Sequence, residues 1–116
     1  TSVIAANVLS KAMEIELTDR ILPDVFELSQ NYPNPFNPHT QIQFSLGKDE
    51  LVSLNIYDIQ GRLVHSLIHN SYYGAGYHQI AWNGKNNMGA QVPSGMYFYK
   101  LMSNQQTVTK KMVIMK

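Results

Sequence analysis

Gln41-Ile42-Gln43-Phe44-Ser45-Leu46 alternates polar and apolar residues without a break and puts Ile42, Phe44 and Leu46 on one face. Successive side chains of a strand point to opposite sides, so this period of two marks a strand with one buried face. The pattern recurs toward the C-terminus. Val52, Leu54 and Ile56 repeat it, Leu63 to His69 is a less regular strand, and His78, Ile80 and Trp82 share a face of the next. Gly95 to Met102 sets Tyr97, Tyr99 and Leu101 against Met96, Phe98 and Lys100, and Gln106 to Met115 forms the last strand. Turn residues separate these segments. Asp58-Ile59-Gln60-Gly61 has Asp at the turn entrance and Gly where a positive φ is expected, while Asn83-Gly84 and Asn86-Asn87-Met88-Gly89 mark a longer turn after Trp82. Short strands punctuated in this way predict an all-β sandwich or barrel, with nothing that suggests βαβ units.

Upstream the punctuation changes. Four of the five prolines lie between residues 23 and 38, and every glycine follows them. The stretch Asn31-Tyr32-Pro33-Asn34-Pro35-Phe36-Asn37-Pro38 cannot be helical, because proline fixes φ and forces its predecessor toward extended geometry. It reads as a semi-rigid extended connector, with Tyr32 and Phe36 placed to dock it onto a neighbouring surface. Residues 1–25 read as a linker or the end of a preceding domain. Met13-Glu14-Ile15-Glu16-Leu17 alternates as a first strand would, whereas residues 3–12 fit a helix, a linker or a domain tail equally well.

Composition narrows the function classes. The chain of 116 residues is the size of one domain, and its 44% hydrophobic content suits a packed core. With no cysteine there are no disulfides, thiol nucleophiles or Cys-based zinc sites. A net charge of +1 argues against a dedicated nucleic-acid binder. No segment approaches the roughly 20 apolar residues of a membrane-spanning helix, and the chain opens at Thr1 with no signal-peptide pattern, as a piece of something longer would. Charge is uneven: all eight acids precede residue 59, and the six bases after it (Arg62, Lys85, Lys100, Lys110, Lys111 and Lys116) have no acid among them. Either the basic half attracts an acidic partner, or strands of the two halves interleave and mix the signs.

Catalytic motifs are lacking: there is no phosphate-binding loop, no paired carboxylates and no Ser-His-Asp setting, so no enzyme is expected. His65 and His69 suit chelation on a helix, but four residues of strand span about 13 Å, too far to share one ion. Trp82 reads as a core residue on the apolar face of a central strand. Tyr72, Tyr73 and Tyr77, beside Gly74 and Gly76, are better placed as exposed aromatics and keep open a sugar-binding accessory module.

The order of motifs resembles the type A C-terminal sorting domains of type IX secretion. Asn31 to Thr40 is similar to the family's opening signature. There follow Leu54-Asn55-Ile56-Tyr57-Asp58-Ile59-Gln60-Gly61-Arg62, Gly74-Ala75-Gly76-Tyr77-His78, Trp82-Asn83-Gly84, Pro93-Ser94-Gly95-Met96-Tyr97-Phe98-Tyr99 and the closing Lys110-Lys111-Met112-Val113-Ile114-Met115-Lys116. The resemblance covers residues 26–116, and a related module occurs in flagellar hook-capping proteins. It implies an immunoglobulin-like antiparallel sandwich of about seven strands. It also implies a role as a non-catalytic export signal on a larger cargo, read by an outer-membrane translocon after passage through the periplasm. Removal by a sortase-like protease would leave the cargo secreted or on the cell surface. Where the family commonly has Asp after the tryptophan this chain has Asn83, and Asn86 stands near another family acid. Amides cap turns well but bind hard cations poorly, so neither a metal nor a cofactor is expected. Lys110 to Lys116, with Gly95 and Tyr97, are the recognition candidates. A terminal strand with a basic start can offer backbone edge, apolar side chains and charge to a receptor; it is equally an ordinary edge strand whose lysines guard against aggregation. The other motif residues (Asn31, Pro33, Asn34, Pro35, Phe36, Asn37, Pro38, Tyr57, Asp58, Gly61, Arg62, Trp82 and Gly84) are expected to be structural. Oligomeric state is left open.

Overall fold

The computed structural model describes residues 25–115. Alternating segments become strands wherever they can put their apolar rows face to face. The strands are β1 (Glu27–Leu28), β2 (Thr40–Leu46), β3 (Glu50–Tyr57), β4 (Leu63–Tyr73), β5 (Gly76–Trp82), β6 (Gly95–Met102) and β7 (Thr107–Ile114). They form two sheets of order β1-β2-β5 and β4-β3-β6-β7, and every pairing between strands is antiparallel. The protein is therefore an all-β sandwich with no helix among the described residues. The seven strands match the expected number, but the first of them is Glu27–Leu28; Met13 to Leu17 lies outside the described residues.

The core is the sum of the alternating rows. Ile42, Phe44 and Leu46 from β2 meet Val52, Leu54 and Ile56 from β3, Tyr97, Tyr99 and Leu101 from β6, and Met112 and Ile114 from β7. Trp82 is buried with them, so its core reading holds. The hydrophobic effect acts on this shared interior, and a slip of one residue in any strand would turn its whole apolar row into water.

β4 is the irregular member. It runs 11 residues, past the expected His69 to Tyr73, and its pairing with β3 shifts register at three places. Asn70 sits at φ 44°, a left-handed conformation that Asn tolerates better than most residues, and its N–H donates to Ser53 Oγ at 2.9 Å. These bulges break the period of two, which is why the segment looks less regular in sequence.

The β3–β4 turn follows its expected chemistry. Asp58 Oδ1 accepts the N–H groups of Gln60 and Arg62, each at 2.9 Å, Oδ2 pairs with Arg62 Nε, and Gly61 has φ 82°. These hydrogen bonds, led by the one from the Arg62 backbone, hold the Asp58 carboxyl below the usual carboxylate range. In the loop after Trp82, Asn83 Oδ1 accepts from Lys85 N, and Asn86 Oδ1 accepts from Met88 N and Ala90 N. Both amides cap their turns as expected.

Candidate functional site

The proline segment spans the two sheets. At its start Tyr32 exchanges backbone hydrogen bonds with Gln41, extending along β2 the edge that β1 occupies. At its end Phe36 bridges in parallel to Ile114: its N–H donates to Val113 O at 3.1 Å and its carbonyl accepts from Met115 N at 2.9 Å. Between them Asn34 Oδ1 accepts the Val113 N–H at 2.9 Å. The three X–Pro bonds at Pro33, Pro35 and Pro38 are cis. Phe36 does dock, buried against Trp82 with ring centroids 5.6 Å apart. Tyr32 does not: it is 79% exposed, because only its backbone is used to continue the sheet.

Asn31 anchors the segment from inside. Its buried side-chain amide donates to Thr40 Oγ1 at 2.9 Å and to Pro33 O at 3.2 Å, and its Oδ1 accepts from Gln30 Nε2 at 2.7 Å. Its backbone N–H donates to the Tyr99 hydroxyl at 2.8 Å, and that hydroxyl donates in turn to Ser29 O at 2.7 Å. Tyr99 has no exposed surface, and burial pushes its phenol up to about 12. Sequence reasoning set Tyr99 on one face of its strand with Tyr97 and Leu101 but missed this tie. An alternating strand signals which face a ring occupies, not what its hydroxyl reaches.

The motifs that lie far apart in sequence converge on the tail strand. Trp82 stands 6.0 Å from Tyr97 across a near-perpendicular ring contact, and its indole N–H donates to Lys85 O. Gly84 has φ 75°, and a Cβ there would lie 3.0 Å from Ile114 Cδ1 and 3.2 Å from Pro38 O. Gly84 thus lets the post-tryptophan loop press against both the tail and the proline segment. Gly95 opens β6 at φ 146° and pairs with Ile114, while Tyr97 pairs with Met112 and sends its hydroxyl to Pro93 O at 2.7 Å.

This packing sorts the recognition candidates. Met112, Ile114 and Tyr97 are buried, so none offers its side chain to a partner. Lys111 is exposed, Val113 half-buried and Met115 56% exposed. Lys110 faces the same side as Met112, half-buried, so the two adjacent lysines point to opposite faces of β7. Lys116 lies outside the described residues. The free edge of β7 is also largely taken. Val113 N–H and C=O and Met115 N–H are paired to the proline segment, and Lys111 O accepts from Gln30 Nε2 at 2.7 Å. Adding a partner strand along Lys111–Met115 would require this segment to leave, which corrects the expectation of an exposed tail edge.

The aromatic trio also separates. Tyr73 is half-buried against Phe44 and His78. Tyr72 pairs with Leu51 on the outer face of one sheet, and Tyr77 pairs with Ser45 on the outer face of the other. The sandwich lies between their rings, so they form no common sugar-stacking platform. His65 is on a strand and bonds Lys85 O through Nδ1.

Comparison with known proteins gives the arrangement its relatives. The sequence model of the family described as "Secretion system C-terminal sorting domain" matches residues 30–115. The chain is similar to part of dimeric latent PorU of Porphyromonas gingivalis, with 27% identity and a TM-score of 0.63 over 78% of this chain and 9% of PorU. PorZ, a surface component of the type IX secretion system of the same organism, shares the fold at 21% identity and a TM-score of 0.51, over 80% of this chain and 12% of PorZ. FlgD of P. aeruginosa shares it at 23% identity and a TM-score of 0.52, over 65% of this chain and 58% of FlgD. The chain thus spans about a tenth of the length of PorU and PorZ. No curated protein sequence matches it.

Proposed function

The chain belongs to the secretion system C-terminal sorting domain family, and on that premise we propose that residues 26–116 direct a larger, covalently linked cargo across the outer membrane by type IX secretion. The observation that carries this reading is the match over residues 30–115; four of its motifs, the proline segment, Trp82–Gly84, the start of β6 and the tail strand, pack together. Sorting domains are typically non-catalytic, and the chemistry assembled here is structural: rings, caps and backbone ties. In this reading the translocon recognises the folded domain through the tail region and the start of β6. A sortase-like protease then cuts upstream of Asn31, and the cargo ends outside the cell or on its surface.

The test is export of a folded reporter fused ahead of residues 1–116, in a type IX-competent bacterium and in a translocon-null strain. Extracellular reporter in the competent strain alone is expected. Retention in the periplasm of both strains, with the domain folded, would sink the sorting role. Peptide mapping of released cargo is expected to place the cut within residues 1–30; a cut within residues 41–116 would contradict the proposed boundary.

A further inference from the structure

Recognition of a folded domain can use only what the fold leaves outside, and on the tail that is little. Lys111 and Val113 point away from the core, and their β6 neighbours are Phe98 and Met96. The same outward row of β6 continues through Lys100 and Met102, which pair across β7 with Thr109 and Thr107. On the other flank Tyr57 of β3 lies beside Phe98, and Lys100 Nζ stands 5.1 Å from the centroid of its ring. The outer face of β3-β6-β7 is thus a strip of thioether, aromatic and branched apolar groups, half-buried or exposed, crossed by two lysines.

Its electrostatics are one-sided. Neither β6 nor β7 contains an acid. Sheet pairing brings strands of the two halves together but does not mix their charges, because the outward residues of β3 are Leu51, Ser53, Asn55 and Tyr57, none of them charged. Asp58, the acid that follows Tyr57, is already engaged by Arg62 and by the N–H groups of its turn. The outer face of the opposite sheet presents Gln41, Gln43, Gln79, Tyr77 and Glu27, and no base. Among the described residues, one side of the sandwich therefore carries both apolar surface and lysines with no acid beside them. Methionine side chains adapt to irregular partner surfaces, and lysine stems lie along apolar area while their ammonium groups seek carboxylates.

We propose that this outer face, centred on Met96, Phe98, Lys100, Met102, Lys111 and Val113, docks an acidic, partly apolar surface of a protein of the export machinery. The inference rests on the sorting role; it keeps Lys111 and Val113 of the tail and adds the outward row of β6, of which Lys100 and Met102 lie outside the sequence motifs. Charge complementarity steers the encounter, and the apolar strip holds the partner once water is excluded. Association should accordingly weaken as salt rises.

The test uses the full chain fused to the folded reporter. Lys100→Glu with Lys111→Glu reverses the face, Lys100→Gln with Lys111→Gln neutralises it, and Lys48→Glu with Lys85→Glu makes the same charge change elsewhere. All three are checked for unchanged melting. Extracellular reporter is expected to fall at least about ten-fold on reversal, less on neutralisation, and to stay within about two-fold of wild type in the control. Purified wild-type chain should sediment with outer membranes of the competent strain, and do so less in high salt. It should not bind those of the translocon-null strain or phosphatidylglycerol vesicles. Wild-type export with unimpaired export of the reversed variant overturns the docking face alone. Absence of wild-type export overturns the sorting role and this face with it. Vesicle binding equal to that of the competent membranes makes the partner a lipid surface and overturns the protein assignment.

Discussion

Replacing Tyr99 by phenylalanine removes one oxygen and two hydrogen bonds while leaving the ring's packing in place. The Asn31 N–H, which donates to that hydroxyl at 2.8 Å, is buried and would have no partner. Leaving a buried donor unsatisfied costs about 1–3 kcal/mol. The Ser29 carbonyl belongs to an exposed residue and can turn to water, so its loss adds little. The expected sum is about 1–3 kcal/mol, a sizeable share of the 5–15 kcal/mol that holds a typical domain together. For a domain of this size it should lower Tm by roughly 5–20 °C, measured by thermal unfolding of the full chain at neutral pH. The same hydroxyl predicts an alkaline signature. Its pKa is raised from an ordinary value near 10 to about 12, so its contribution is complete below pH 10 and lost as pH rises through about 12. Wild type should therefore lose on the order of 2 kcal/mol across that window. Tyr99→Phe should keep only the smaller loss owed to Tyr97, whose phenol burial also pushes up. A drop in Tm below about 3 °C, or an alkaline profile that matches wild type, would refute the view that this hydroxyl ties the proline segment to the core.

Other perturbations probe the same cluster. Phe36→Ala should cost about 3–5 kcal/mol in chemical denaturation, since it empties a buried site against Trp82, and should also speed hydrogen exchange at Val113 and Met115. Gly84→Ala places a Cβ at φ 75° within 3.2 Å of the Pro38 carbonyl oxygen, and should destabilise by about 2–4 kcal/mol. Asp58 has a lowered pKa, so its contribution is present above the usual carboxylate range and fades as pH falls through its lowered value; Asp58→Ala should flatten that acid limb in a pH series of melting curves.

The fold was largely legible because its decisive signal is local. Strands β2, β3, β6 and β7 announce themselves through period-two rows, and the Asp58–Gly61 and Asn83–Gly89 turns through residues that cap or take positive φ. β4 was harder, since its bulges scramble the period that reveals a strand, and Glu27–Leu28 is too short to have one. The candidate site was legible only as an ordered string of motifs. Which of them touch depends on contacts between residues as distant as Asn34 and Val113, and no local pattern encodes those.

Sequence alone determined that the chain is an all-β domain, that Ile42, Phe44 and Leu46 share one buried face, and that Trp82 belongs inside, because side-chain alternation and turn chemistry act over a few residues. Tertiary structure alone decided that the proline segment closes over the tail, that Met112 and Ile114 are hidden while Lys111 is presented, and that Lys100 of β6 and Lys111 of β7 share one outer face. Those outcomes depend on which strands become neighbours, a choice made by burial of the whole core at once.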